Sequence, residues 1–149
     1  MTIRKLETGD DGITAIGLLQ RFFVEENFAT EPGVIAGHVR KMLTLDTCGL
    51  FLMEVEGNAV GVVTVSIEFG VEYGWWAEMG DLYVLPGHRG RGYSRALVAA
   101  AETFLKARGV SGYQVTVTPY AQDNHNLKNF YDTMGFENEG REILRKNLL

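Results

Sequence analysis

The amino-acid sequence predicts one α/β (α+β) domain, a mixed and mostly antiparallel sheet with a single parallel pair and helices packed on it. Three observations carry this. The chain has 149 residues, 46% hydrophobic and 22% charged, the size and balance of a globular domain that buries about two thirds of its unfolded surface without disulfides or metal. Apolar residues recur at helical spacing in some segments and alternate in others. The order strand, loop, helix, strand over residues 75–118 is a crossover connection, which makes its two strands parallel neighbours.

Each element follows from its own pattern. Residues 2–7 read as a strand. Asp10 or Asp11 then caps a helix in which Ile13, Ile16, Leu19, Phe22 and Phe23 recur at helical spacing. A second helix over 32–45 buries Val34, Ile35, Val39, Met42 and Leu43. Strands 49–55 and 59–69 form a hairpin across Glu56, Gly57 and Asn58, the second alternating Val63, Val65, Ile67 and Phe69. The strand over 75–85 contains Gly80, the mark of a bulge. A helix over 93–108 presents Leu97, Ala101, Phe104 and Leu105 on one face. A fifth strand covers 112–118. Residues 124–136 form an amphipathic helix capped by Asp123 and ended by Gly135. A short strand over 141–148 closes the chain.

Charge and composition exclude several function classes. Fourteen basic against nineteen acidic residues give a net charge of −5, which argues against general affinity for nucleic acid or anionic membrane. Cys48 is the single cysteine, so neither an internal disulfide nor a cysteine zinc site forms, as expected of a cytoplasmic protein. The first residues lack the apolar core of a signal peptide. No apolar run approaches the ~18 residues of a membrane span. His38, His88 and His125 stand at no metal-like spacing to one another or to Cys48, and no metal is assigned.

One segment reverses the charge. Residues 86–95 hold Arg89, Arg91 and Arg95 and no acid, while the rest of the chain has eleven basic and nineteen acidic residues. Gly87, Gly90 and Gly92 permit close backbone approach, and the helix that follows offers free N–H groups and the positive end of its dipole. The segment is therefore a candidate site for a small phosphate-bearing ligand. Neither the P-loop pattern nor the dinucleotide-binding G-x-G-x-x-G occurs.

Two motifs name a family. Arg89-Gly90-Arg91-Gly92-Tyr93-Ser94 matches R/Q-x-x-G-x-G/A except for Ser94, which is also small. Asn124, Phe130, Tyr131, Gly135 and Phe136 match N-x-x-A-x-x-(L/F)-Y-x-x-x-G-F, with Leu127 where alanine is usual. Together they resemble the GNAT (Gcn5-related) N-acetyltransferase superfamily, strongly over residues 75–137 and only through element order before residue 70. The resemblance implies a central sheet of six to seven strands, about four helices on both faces, and a parallel fourth and fifth strand splayed around the donor.

It also implies roles. The donor is acetyl-coenzyme A, its pantetheine arm along the main chain of Leu82, Tyr83 and Val84, its pyrophosphate on the amides of Arg89, Gly90, Arg91, Gly92, Tyr93 and Ser94. Asn124 resembles the family's helix-start asparagine that contacts the arm; helix capping is its other reading. Glu78, eleven residues before Arg89, matches the general base, with Asp81 as rival and Glu68 and Glu72 behind. Tyr131 matches the general acid near the sulfur. Tyr73, Trp75 and Trp76 with Glu68 and Glu72 border the acceptor side or pack as core. Glu25, Glu26 and Glu31 flank the acceptor or end a helix in solvent. These residues imply an N-acetyltransferase acting on a primary amine of a small cation such as a polyamine or aminoglycoside. A protein or peptide amine, or a non-catalytic acyl-coenzyme A sensor, are the alternatives. The family is often dimeric, and a homodimer and a monomer both fit the sequence.

Overall fold

In the computed structural model, which describes residues 1–149, the chain clusters into Met1–Thr116 and Val117–Leu149. In the first, β1 (Thr2–Lys5), α1 (Ile13–Glu25), α2 (Pro32–Met42), β2 (Cys48–Val55), β3 (Asn58–Gly70), β4 (Gly74–Val84), a 3-10 turn (Pro86–His88), α3 (Tyr93–Ala107) and β5 (Tyr113–Gln114) follow in order. The sheet runs β1-β2-β3-β4-β5, every pair antiparallel except β4 with β5. The mixed sheet is as the sequence predicts, with five strands instead of six to seven.

Side chains alternate between the two faces along the central strands, and because both faces are covered, burial is unbroken over residues 49–53 of β2 and 60–65 of β3. Val62 and Leu52 join Ile16, Leu19, Ile35 and Val39 in the core under α1 and α2. On the other face Phe51 packs edge-on to Phe104 of α3, ring centres 5.6 Å apart. Gly61 lets that helix settle, since a Cβ there would lie 3.0 Å from Leu97. With both faces covered there, β3 is apolar over residues 59–65 except for one buried threonine, Thr64.

Local differences from the sequence reading have local causes. Asp11, not Asp10, serves α1, accepting the Ile13 N–H at 3.0 Å, while Asp10 accepts from Glu7 N–H. The fifth strand pairs with β4 only at Ala77↔Tyr113 and Glu78↔Gln114; the ladder stops just before the Gly80 irregularity, which turns β4 away. No strand forms over 141–148. Its apolar residues come as adjacent pairs, Ile143 with Leu144 and Leu148 with Leu149, all exposed, so the segment lacks the period of two that would bury one face.

In Val117–Leu149 the predicted helix over 124–136 is two short helices, α4 (Pro119–His125) and α5 (Leu127–Asp132). The cap is Thr118, whose hydroxyl accepts from Ala121 N–H, and Asp123 lies inside α4. Asn126, at φ 49°, breaks the run. Gly135 ends it as expected: at φ 89° it lets Phe136 N–H bond Tyr131 O and its own N–H bond Asp132 O, a Schellman ending. No helix is long and apolar enough to cross a membrane.

Candidate active site

Gly80 organises the carboxylates. Val65 pairs with Met79 and Thr64 with Asp81, so Gly80 is the extra residue of a bulge. Without it, Glu78 and Asp81, three apart, would face opposite sides of the sheet. With it, Glu78 stands opposite Ser66 and Asp81 opposite Thr64, all on the face that carries Tyr83. Glu78 is exposed. Asp81 is part-buried and accepts from Thr64 Oγ1–H at 2.6 Å. Sequence reasoning passed over Thr64; its signal was a lone hydroxyl in a run of valines.

Burial raises the Asp81 carboxyl above its ordinary 3.8, outweighing the Thr64 hydrogen bond, which lowers it. A raised folded value means stability complete below the unfolded value and lost as pH rises through the folded one. Asp81→Asn keeps an acceptor for Thr64, so it is expected to melt a few degrees above the parent at about pH 8 and level with it at about pH 4. An equal difference at both pH values in thermal unfolding would contradict this.

Past Gln114, β4 has no partner on its β5 side. Leu85 N–H bonds Val60 O, and the alternation of an antiparallel ladder then turns the main chain of Tyr83 toward β3 and that of Leu82 and Val84 toward the open edge. Of the three residues assigned to the donor's arm, two face that edge with their backbones. The Tyr83 side chain packs on Phe22, ring centres 5.3 Å apart. Burial raises the Tyr83 hydroxyl pKa first, and its hydrogen bond to Glu25 adds to that.

The turn after β4 leads into α3 through Gly90 (φ 76°) and Gly92 (φ 79°), and no side chain caps the helix. The first intrahelical bond is Ala96 N–H to Gly92 O, which leaves earlier amides of the turn and first helical turn for a ligand. A Cβ at either glycine would meet nothing within 4 Å, so space lies over these amides. That is the fit a pyrophosphate requires. The arginines divide. Arg91 is exposed, whereas Arg89 is engaged by the protein: Nε–H donates to Val84 O at 2.9 Å, and Nη2 lies 2.6 Å from Glu25 Oε1. The sequence reading places Glu25 either beside the acceptor or at a helix end in solvent; the structure pairs it with Arg89.

The aromatic stretch also divides. Adjacent residues of a strand face opposite ways, so Trp75 pairs with Phe69 at 4.9 Å on one face. Trp76 shares the face of Glu78, opposite Glu68, with Tyr73 stacked on it at 4.2 Å. The Trp76 Nε1–H donates to Gln114. Gly112 admits the indole, since a Cβ there would lie 2.5 Å from it.

In the second unit, Tyr131 is 8% exposed, between Phe130 and Phe136 at 5.1 and 5.0 Å. Burial pushes its hydroxyl up to about 12. Asn124 lies in the last turn of α4, its Nδ2–H donating to Tyr120 O at 2.8 Å, so it caps no helix start.

The model of the acetyltransferase (GNAT) family matches residues 17–136. An N-acetyltransferase of Methanocaldococcus jannaschii is 32% identical over 98 residues, 64% of this chain and 42% of its own. An acetyltransferase of Yersinia pseudotuberculosis is 32% identical over 104 residues, 67% of this chain and 66% of its own. The chain thus spans less than two thirds of either relative. Two solved structures share the fold: an integron cassette protein from a salt-marsh metagenome (TM-score 0.83, 23% identity, covering 99% of this chain and 90% of its own) and the aminoglycoside N-acetyltransferase AAC(6')-Iy with a bisubstrate analogue (0.84, 19%, 99% and 98%). With the family pattern running from α1 through both motifs to Phe136, and the sheet opened beside an uncapped helix start, the chain belongs to the acetyltransferase (GNAT) family.

Proposed function

We propose that the protein, acting as one domain over residues 1–149, transfers an acetyl group from acetyl-coenzyme A to a primary amine of a small cationic molecule. The observation that carries the donor half is the uncapped, glycine-flanked start of α3 next to the open edge of β4. The amides of Gly90, Arg91, Gly92, Tyr93 and Ser94 hold the pyrophosphate, with Arg91 adding charge. Leu82 and Val84 bond the arm through their main chain, and Asn124 contacts it. The bound donor supplies the activated acetyl group.

The acceptor half rests on charge. Glu68, Glu78 and Asp81 share one sheet face with the Trp76 ring, and carboxylates and an indole face both favour an ammonium. An amine with a pKa near ~10 arrives charged and must lose its proton before it attacks. Exposed Glu78 receives that proton, directly or through water. Asp81 is the second candidate, because burial increases its proton affinity. Tyr131 serves the departing thiol through its hydroxyl. Fold likeness to an aminoglycoside acetyltransferase in complex with sisomicin agrees with a cationic acceptor, and likeness to a ribosomal-protein-alanine N-acetyltransferase supports a protein amine as the second reading.

Thermal unfolding with acetyl-coenzyme A, coenzyme A, ATP and NAD at matched concentrations tests the donor. Native-state binding at a hundredfold excess over Kd adds ~2.7 kcal/mol, a shift of several degrees at this size. Only the two coenzyme A species are expected to give it. Thiol release across an amine panel then identifies the acceptor; binding without turnover on any amine or peptide would point to a sensor.

A further inference from the structure

The Arg89 side chain draws three elements together. Its Nε–H holds the Val84 carbonyl at the end of β4, its Nη2 meets Glu25 Oε1 at the end of α1, and its guanidinium lies 5.5 Å over the Tyr83 ring. The Tyr83 hydroxyl bonds the same glutamate. The pair is only part-exposed, 38% at Arg89 and 27% at Glu25, and its geometry is that of a charge-assisted hydrogen bond. Arg89 immediately precedes Gly90, whose left-handed backbone starts the turn of open amides.

We propose that Glu25 is the positioning residue of this turn: by holding Arg89 against the ends of β4 and α1, it fixes the amides of residues 90–94 in the convergent arrangement an anion needs. The ligand arm of this inference rests on the donor reading above; its conformational arm does not. Glu25 thus serves the donor side. Arg89 contributes by what it holds inside the protein, and the charge that meets the phosphates comes from Arg91 and the amides. The turn is built from glycines, which supply no stiffness of their own, so the restraint must come from a neighbouring element.

The test compares the parent with Glu25→Ala, the milder Glu25→Gln, Arg89→Gln and the Glu25→Ala/Arg89→Gln double variant. In the free protein, amide hydrogen exchange of peptides covering 86–92 is expected to quicken about tenfold in Glu25→Ala, less in Glu25→Gln, and no further in the double variant than in the stronger single one. Coenzyme A affinity is expected to weaken about five- to tenfold in parallel, with the donor KM rising and the acceptor KM unmoved. Unchanged exchange in Glu25→Ala would overturn the inference, as would a rise confined to the acceptor KM. A parent that exchanges as described yet binds no coenzyme A would sink the donor reading and leave the clasp standing. Independent, additive effects in the double variant would mean that the two residues do not act through each other.

Discussion

Replacing Gly92 by valine is expected to weaken coenzyme A binding at least about a hundredfold while the sheet stays folded. The position sits at φ 79° directly before α3. An L-residue there costs ~1–2 kcal/mol, and a β-branched one more, so the turn relaxes toward negative φ and its amides no longer converge. The space around it makes the result interpretable. A Cβ meets no protein atom within 4 Å, so the first side-chain atom added there brings no clash inside the protein. Gly92→Ala should fall between the two, sharing the strain with less bulk over the phosphate path. Calorimetric titration with coenzyme A reads the affinity, and circular dichroism reads the fold. Valine at 92 with parental affinity would mean that the pyrophosphate lies elsewhere.

Tyr131→Phe is expected to lower kcat about a hundredfold with little change in donor affinity. The substitution keeps the ring between Phe130 and Phe136 and the Tyr131 carbonyl that accepts from Phe136 N–H, so it removes the hydroxyl alone. What the hydroxyl does is constrained by its acidity. Full proton transfer from a phenol to a thiolate of pKa ~8.5 already runs uphill by ~2 kcal/mol at the ordinary phenol value, and by ~5 kcal/mol from about 12. In the proposed reaction Tyr131 would therefore act as a hydrogen-bond donor to the departing sulfur, with solvent completing the protonation. The resemblance implies a general acid at Tyr131, and the proposal takes that role as hydrogen bonding to the sulfur. A phenol at about 12 stays protonated through any workable pH, so kcat should show no fall attributable to Tyr131 up to about pH 10. Its stabilising effect is lost only as pH climbs from the unfolded value near 10.0 through the folded one. Parental turnover in the phenylalanine variant would remove Tyr131 from the reaction.

Much of this arrangement was legible because it depends on short-range rules. The hairpin follows from alternation on either side of a turn at Gly57, although Asn58, read as part of that turn, pairs with Val55. The bulge follows from one glycine in a strand, and the helix ending at Gly135 from the left-handed backbone only glycine adopts readily. What escaped depends on distant partners. Nothing within residues 124–136 announces that Asn126 interrupts the helix, or that Thr118 six residues earlier starts it. Glu25 and Arg89 are 64 positions apart, and nothing near either one points to the other until α1 is packed on the sheet. Thr64 reads as a strand residue until the bulge sets Asp81 opposite it. The last segment failed for another reason: adjacent leucines satisfy an apolar count but cannot choose a face.

The bulge at Gly80 also fixes how this strand can change in length. It is a phase shift in a period-two pattern, so even- and odd-numbered residues exchange sides beyond it: Leu82 and Val84 lie on the α3 side, where parity alone would have put Asp81 and Tyr83. Deleting this one glycine would therefore straighten the strand without inverting it. Met79 would still stand opposite Val65 and Asp81 opposite Thr64, so every side chain downstream would keep its side; only closing the bulge with the residue retained would turn them over, aiming the Asp81 carboxylate into the packing under α3. Within β4 a single-residue deletion is thus absorbed at the bulge, while the hairpin tip beyond Gly70, which owes no face to the core, can vary one residue at a time.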